Sequence, residues 1–316
     1  VVNDSGGSAN RWMRKAYHDV FEQRYGIRVV NTSPVNFGKL RAMVQSGNVE
    51  WTVTEIGAQD SFVASELGLV EPIDDTIVNR SNFPARAREK YFFSANIYST
   101  ILAYRKDAFK PGSHPRGWAA FWDVKSYPGP RAMRNHPVAN LEFALLASGV
   151  PADKLYPLDL DRAFRKLDEI KREVSVWWTT GAQPAQLLLD KEVVLSTGWH
   201  GRFFDLVSTG APVAIEWTQG SLNQNCYVIP KGARDAVWGQ RFLALMAEPA
   251  GQAVYAQGMG SPGNNPDAMP LIDKNILPLL PTAPQNLERQ FWADNRWWGQ
   301  NGARALERWN EWMLKK

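Results

Sequence analysis

The sequence predicts an α/β protein built as two α/β lobes with mainly parallel sheets. Its 316 residues suffice for two average domains or one large two-lobed one. Hydrophobic residues alternate between helical and strand spacing over most of the length, which is typical of the α/β class. Predicted strands and helices also follow one another in the order of right-handed βαβ units, and such units place their strands in parallel.

The first hundred residues carry the clearest alternation of helix and strand. One helix face is marked by apolar residues at spacings i, i+4, i+7 and i+8, namely Met13, Tyr17, Val20 and Phe21. Gly26 stands where the C-terminal stop of that helix belongs. The elements that follow are predicted as strands at 27–30 and 51–56 and as helices at 37–47 and 62–67.

A second α/β series begins at about residue 98. Its predicted strands are 99–104, 192–196 and 226–229. Helical spacing predicts helices around 141–146, 163–170, 182–189, 237–246 and 306–313. We find no internal repeat and no low-complexity tract, so the pattern favours two lobes over a repeat protein.

Composition excludes several classes of protein. Apolar residues make up 44% and charged residues 22% of the chain, which is ordinary globular usage and argues against disordered, collagen-like and coiled-coil proteins. Lysine and arginine number 36 against 32 acids, a formal net charge of +4. These charges are scattered without any block of five or six of one sign, so we expect no nucleic-acid partner.

Cysteine content and hydropathy limit the remaining classes. Cys226 is the single cysteine, which excludes an internal disulfide and any cysteine-based metal site. Low cysteine content suits an oxidising compartment, although cytosolic chains also lack cysteine. The uncharged stretch 174–189 is interrupted by glycine and proline, so it predicts no membrane span. The chain opens on Val1 rather than Met, and we expect that a targeting segment was removed or that the sequence was trimmed.

Seven short segments, in order along nearly the whole chain, carry a family resemblance. They are residues 21–29 (FEQRYGIRV), 67–74 (LGLVEPID), 118–122 (WAAFW), 127–129 (YPG), 198–202 (GWHGR), 227–233 (YVIPKGA) and 309–312 (WNEW). With these segments the chain resembles the periplasmic solute-binding proteins of ABC importers, in the branch typified by spermidine/putrescine-binding receptors.

The resemblance implies a two-segment hinge, near 99–104 and 223–229, and a ligand cleft between the lobes. Lobe one would be 1–102 plus 224–268, and lobe two 103–223 plus 269–316. It implies a receptor that works as a monomer without a cofactor or metal, in the periplasm or lipid-anchored on the extracellular face. The receptor would capture a small solute, leave it chemically unchanged and deliver it to an ABC permease in the membrane.

Two segments of lobe one are candidate ligand contacts. Ser5, Gly6 and Gly7 precede the first helix, and their backbone N–H groups could approach an anionic or polar group closely. A simple turn with a helix cap is the alternative. Gly57 and Gln59 follow a predicted strand where the related receptors contact ligand, and an ordinary loop is the alternative there.

Lobe two offers a second group of candidates. Trp199 matches the family's ligand-stacking tryptophan, and its ring would suit the stem of an amine or amino acid. A buried structural tryptophan is the alternative. Thr180 opens a predicted helix with donors that could face the cleft. Asn223 and Asn225 lie two apart on an extended segment and would point the same way.

The chain departs from polyamine receptors at the residues that hold the ligand charge. The acids that pair with ammonium groups in those receptors fall here near Pro137, Asn140 and Asn225, none of which is acidic. A dication would therefore find few counter-charges, which disfavours a polyamine as the ligand.

Cationic side chains near the same segments suggest a different ligand. Arg134 and Arg202 could bind a carboxylate through two-pronged hydrogen bonds, and His136 and His200 lie close to them in sequence. Surface or lobe-bridging ion pairs are the alternative for both arginines. Glu55 could pair with a ligand amine or with one of these arginines. We therefore expect a small polar solute with a carboxylate, such as an amino acid, an opine or a sugar acid; Asn140 remains a candidate contact.

Catalytic motifs are missing from the sequence. Ser196, His200 and Asp205 lie close together without a Gly-x-Ser-x-Gly nucleophile elbow, and neither a Gly-x-x-x-x-Gly-Lys-Ser/Thr phosphate loop nor a His-Glu-x-x-His zinc-protease motif occurs. We therefore predict a binding protein and not an enzyme. An enzyme on the same two-lobe fold, a polyamine receptor and a signalling receptor remain alternatives.

Overall fold

A computed structural model describes residues 1–315 and confirms the α/β class. The strands in this part of the chain are β1 (Val2–Asn3), β2 (Asn31–Thr32), β3 (Val53–Gly57), β4 (Phe93–Arg105), β5 (Arg131–Arg134), β6 (Val174–Trp178), β7 (Leu195–Trp199), β8 (Val213–Val228) and β9 (Phe291–Trp292).

Helices flank these strands along the chain. They are α1 (Gly7–Met13), α2 (Asp19–Tyr25), α3 (Phe37–Ser46), α4 (Ala58–Glu66), α5 (Gly117–Trp122), α6 (Asn140–Ala147), α7 (Leu160–Ile170), α8 (Gln183–Leu189), α9 (His200–Ser208), α10 (Ala236–Ala247), α11 (Pro249–Met259), α12 (Pro284–Leu287) and α13 (Asn295–Leu314). A π-helical segment, Arg14–His18, joins α1 to α2. Within residues 1–315, no helix combines the length and apolar character needed to cross a membrane.

The chain divides into two compact units. Unit one comprises Val1–Ile97 and Gln224–Leu280, and unit two comprises Tyr98–Asn223 and the chain from Pro281 onward. Each unit has its own buried core. Leu40, Phe93 and Leu243 are among the core residues of unit one, and Trp118, Phe143 and Trp309 among those of unit two.

The sheet strands of unit one bring two loops to one edge. β1 pairs in parallel with β2 and β3, while β3 pairs antiparallel with β8. Because β1 and β3 are parallel neighbours, their carboxyl ends lie at the same edge. The segments that follow β1 and β3, namely Ser5–Gly7 and Ala58–Asp60, therefore lie at the same edge of the sheet.

Unit two repeats this arrangement with three strands. β5 pairs in parallel with both β6 and β7, and β7 pairs antiparallel with β4. The last residues of the three parallel strands are Arg134, Trp178 and Trp199. Their side chains are thereby gathered at one edge of the sheet, where ligands of open α/β sheets bind.

Several predicted elements have different bounds in the structure. The predicted strands at 99–104 and 226–229 are parts of longer strands, β4 and β8, which both continue from one unit into the other. The strand predicted at 27–30 is wrong: the ladder forms at β2 instead. The Val29 N–H donates to the Glu22 carboxylate at 2.8 Å, and within this segment the Val30 carbonyl accepts the N–H of Val2 in β1 at 2.9 Å.

Candidate functional site

In unit two, the guanidinium of Arg134 packs against the indole rings of Trp199 and Trp178. Its guanidinium carbon is 5.0 Å from the ring centroid of Trp199 and 5.9 Å from that of Trp178. The two indole rings meet edge to face with centroids 5.6 Å apart. One face of Trp199 thus carries Arg134, so this tryptophan orients the arginine through a cation–π contact.

The charge of Arg134 has no acidic partner within residues 1–315. Burial lowers the pKa of Arg134, and the nearby Tyr98 phenol acts in the opposite direction. A desolvated cation without a counter-charge is costly, since charges in protein interiors are normally paired. Arg134 is therefore a candidate for binding an anion. Tyr98 was missed as a site residue, because only the fold brings it near Arg134.

The loop after β5 is fixed by Asn140. This buried side chain donates from Nδ2 to the carbonyls of Arg134, at 2.6 Å, and His136, at 3.0 Å. Ala139 adopts a positive φ of 71° immediately before α6, which is uncommon for a residue with a side chain. Asn140 thus holds the backbone that presents Arg134, and its Nδ2 group is already used within the protein.

Gly181 makes room for Trp199 and Arg202. A Cβ placed on Gly181 would lie 2.5 Å from Cζ3 of Trp199 and 3.2 Å from Nε of Arg202. Arg202 is exposed on α9 and makes no ion pair with any residue of the described chain. Arg134 and Arg202 therefore both lie at the Trp199 ring.

The structure shows which partners or positions Thr180, Asn223 and Asn225 have, and these differ from the free ligand contacts expected from the sequence. The Thr180 N–H donates to the Gln183 side chain at 2.9 Å, so this donor is used at the start of α8 and is not free for a ligand. Asn223 is buried, and it is the last residue of the part of β8 that belongs to unit two. Asn225 belongs to unit one, where its Nδ2 donates to Asn96 at 3.2 Å.

The Ser5–Gly7 loop of unit one binds carboxylates of the protein itself. The Ser5 N–H and hydroxyl donate to Oε2 of Glu55 at 2.9 and 2.8 Å, and the Gly6 N–H donates to Asp4 at 2.9 Å. Gly6 and Gly7 both have positive φ, which glycine adopts without strain. The donors of Ser5 and Gly6 are thus not available to an anionic ligand, and this edge of unit one is acidic.

Glu55 is buried in the middle of β3. Burial raises the pKa of Glu55, while the hydrogen bonds from Ser5 oppose the shift and the Asp4 charge adds to it. Among residues 1–315 no lysine or arginine pairs with Glu55. The Gln59 side chain lies against Gly57, where a Cβ would meet it at 3.1 Å. Asp60 in the first turn of α4, missed from the sequence, is a further acid whose pKa is raised by burial.

Ser196 and His200 both form hydrogen bonds with the protein backbone. The buried ring of His200 accepts the Ser99 N–H at Nδ1 over 3.0 Å, and the Ser196 hydroxyl donates to the carbonyl of Thr197 at 2.9 Å. His200 therefore uses its Nδ1 as a neutral acceptor within the fold.

Comparisons with known proteins show what the whole chain is similar to. The family model for bacterial extracellular solute-binding proteins matches residues 16–282. The gamma-aminobutyric acid-binding protein of Pseudomonas aeruginosa is 32% identical over 325 aligned residues, covering 100% of this chain and 91% of that protein.

Solved structures resemble the whole chain. An ABC transporter substrate-binding protein from Bradyrhizobium japonicum superposes with a TM-score of 0.94 at 36% identity, covering 99% of this chain and 98% of that one. A structure described as a GABA receptor has a TM-score of 0.93 at 33% identity, covering 100% of this chain and 97% of that one.

Proposed function

Because the chain belongs to the family of bacterial extracellular solute-binding proteins, we propose that it captures a small zwitterionic acid through Arg134. One observation carries the proposal: a desolvated guanidinium on two indole rings has no acid of the described chain beside it. A ligand carboxylate supplies the missing counter-charge and matches the guanidinium fork. The family predicted from the sequence is confirmed.

The acidic edge of unit one favours a zwitterion over a simple acid. Glu55 is a buried carboxyl without a cationic partner in the described chain, and an ammonium group would stabilise its charged form. We propose that the Glu55 carboxylate binds the ammonium group of the solute. γ-Aminobutyrate, named for two similar proteins, has both charged groups and is the first compound to test.

A polyamine is the weaker candidate. Pro137, Asn140 and Asn225 stand where polyamine receptors place acids, and the half-buried Arg134 charge would repel a dication. In the cell, we propose that the chain works in the periplasm, alone and without altering its ligand, and hands the solute to an ABC permease. Transport is the activity of its family, and the sequence holds no catalytic motif that would favour an enzyme instead.

A thermal-shift and calorimetry panel tests the proposal. It comprises γ-aminobutyrate, an opine, 4-aminobutanamide without the carboxylate, butyrate without the ammonium, and putrescine with two ammonium groups. A zwitterionic acid is expected to stabilise the protein by about 2.7 kcal/mol at a hundredfold excess over its Kd. The bound compound should be recovered unchanged by mass spectrometry. Stabilisation by putrescine alone, or conversion of the bound compound, would contradict the proposal.

Replacing Glu55 by glutamine is expected to reduce the preference for γ-aminobutyrate over butyrate. Glutamine keeps an oxygen to accept from Ser5, whereas the negative charge that attracts an ammonium is lost. Loss of a charge-assisted hydrogen bond of about 1.5–3 kcal/mol corresponds to roughly a tenfold or larger fall in that preference. Calorimetry with both compounds measures this preference. An unchanged ratio of the two Kd values would show that Glu55 does not bind the ammonium group.

Gly181→Ala is expected to weaken solute binding about tenfold or more. The new Cβ at 2.5 Å from the Trp199 ring forces the ring aside, and Arg134 moves with it. Gly302→Ala in α13 is the matched control, because its Cβ would lie 3.8 Å from Trp298 in ordinary contact. The control should bind normally and gain about 0.5–1 kcal/mol in stability. Equal affinities for both variants would show that the ring position does not matter.

A further inference from the structure

His136 lies in the loop that carries Arg134. The loop is held at several points: Asn140 donates to the carbonyls of Arg134 and His136, and the Trp309 indole N–H donates to the Asn135 side chain at 2.9 Å. The Asn135 N–H donates to the carbonyl of Trp178 at 2.8 Å. His136 therefore has a defined position two residues beyond Arg134.

A hydrogen bond determines which nitrogen of His136 carries the proton. Its Nδ1 accepts the N–H of Val138 at 3.3 Å, so the proton of the neutral ring is on Nε2. Burial lowers the pKa of His136 to about 3, and the positive charge of Arg134 acts in the same direction. The ring is consequently neutral at physiological pH, with one N–H donor at Nε2.

This donor is unused and accessible. No acceptor for Nε2 occurs within residues 1–315, and Nε2 is not among the polar atoms sealed inside the protein. His136 as a whole is half-buried, like Arg134. The loop thus presents two groups that can only donate, one charged and one neutral.

Building on the proposed function, we propose that the His136 Nε2–H donates to the same ligand carboxylate that Arg134 binds, and that this selects a carboxylate over a carboxamide. Both oxygens of a carboxylate accept hydrogen bonds, so each donor finds a partner. A carboxamide would direct its own NH2 group toward one of the two donors and leave it unsatisfied, and unpaired polar groups discriminate strongly. A neutral ring serves here because it adds a donor without adding a second unpaired charge beside Arg134.

Two substitutions separate the ligand contact from the role of His136 in its loop. The side-chain oxygen of His136→Asn reaches about as far as Nδ1 and can still accept from Val138, whereas no donor reaches the Nε2 position. His136→Gln is the reverse, since its amide nitrogen reaches the Nε2 position and the short-range acceptor is lost. We expect His136→Asn to weaken γ-aminobutyrate binding tenfold or more and to lose an equal factor in selectivity over 4-aminobutanamide, while His136→Gln retains most of both. The opposite order, or equal affinity of His136→Asn and wild type, would overturn the inference.

Long-range proton–nitrogen NMR gives an independent measurement. The chain has four histidines, so the His136 signals are assigned as those lost in His136→Asn. We expect a protonated Nε2 and an unprotonated Nδ1 at pH 7, with the Nε2 signal shifting on ligand addition; the other tautomer would overturn the inference. If wild type binds no carboxylate at all, the proposed function itself fails. If wild type binds γ-aminobutyrate and its affinity depends on Arg134 but not on His136, the His136 inference alone fails.

Discussion

Arg134→Ala is expected to abolish solute binding while leaving the unliganded protein as stable as wild type or more stable. Removing one partner of a desolvated, hydrogen-bonded charge pair costs about 2–5 kcal/mol, which is roughly a 30-fold or larger rise in Kd. Without ligand, however, the Arg134 charge is desolvated and has no acid of residues 1–315 beside it, so its removal relieves a cost. Calorimetry gives the affinity, and urea unfolding without ligand gives the stability.

A second arginine on the same strand is the control. Arg131 at the start of β5 is buried, and its guanidinium donates to the backbone carbonyls of Phe121, Tyr127 and Gly129. Arg131→Ala should therefore destabilise the fold, because the buried carbonyl of Phe121 loses its Arg131 donor. If Arg134→Ala lowered stability as Arg131→Ala does and bound solute normally, Arg134 would be a structural residue and the proposed site would be wrong.

The pattern of hydrophobic residues was enough to predict the α/β class, and seven short segments were enough to predict the family, both confirmed. Trp199 was singled out through the family resemblance, and Arg134 as a cation near the segment where polyamine receptors carry acids. Their neighbour Trp178 was not, because its place beside Arg134 depends on the parallel pairing of β5 with β6, in which Arg134 lies opposite Trp178, 44 residues further along the chain. Strand order is a property of the whole fold, and the local spacing of apolar residues carries no information about it.

Electrostatic roles were harder to predict than positions. The Ser5–Gly7 loop suggested an anion site, yet Ser5 donates to Glu55, fifty residues away, and makes that edge acidic. His136 suggested a second cation, yet burial beside Arg134 keeps it neutral. In both cases the charge is set by burial and by long-range hydrogen bonds, which a sequence pattern does not contain.

Glu142→Ala is expected to destabilise unit two by several kcal/mol. Glu142 is fully buried in the first turn of α6, where its Oε1 accepts the Tyr156 hydroxyl at 2.6 Å and the Trp298 indole N–H at 2.7 Å. Alanine would leave both buried donors unpaired, at about 1–3 kcal/mol each. Glu142→Gln keeps an acceptor oxygen of the same reach, so its free energy of unfolding in urea should be much closer to that of wild type. Equal losses of stability in the alanine and glutamine variants would contradict this account.

The two proteins, wild type and Glu142→Gln, should also differ in how stability depends on pH. Burial raises the pKa of Glu142 above its unfolded value of about 4.3. The stability contributed by the neutral carboxyl is therefore fully present below that unfolded value and is lost as pH rises through the folded pKa. Glutamine stays neutral at every pH, so the stability of Glu142→Gln relative to wild type should increase between pH 4 and pH 8. Parallel stability profiles of the two proteins over this range would mean that Glu142 is ionised in the folded state, with its charge compensated by the Tyr156 and Trp298 donors.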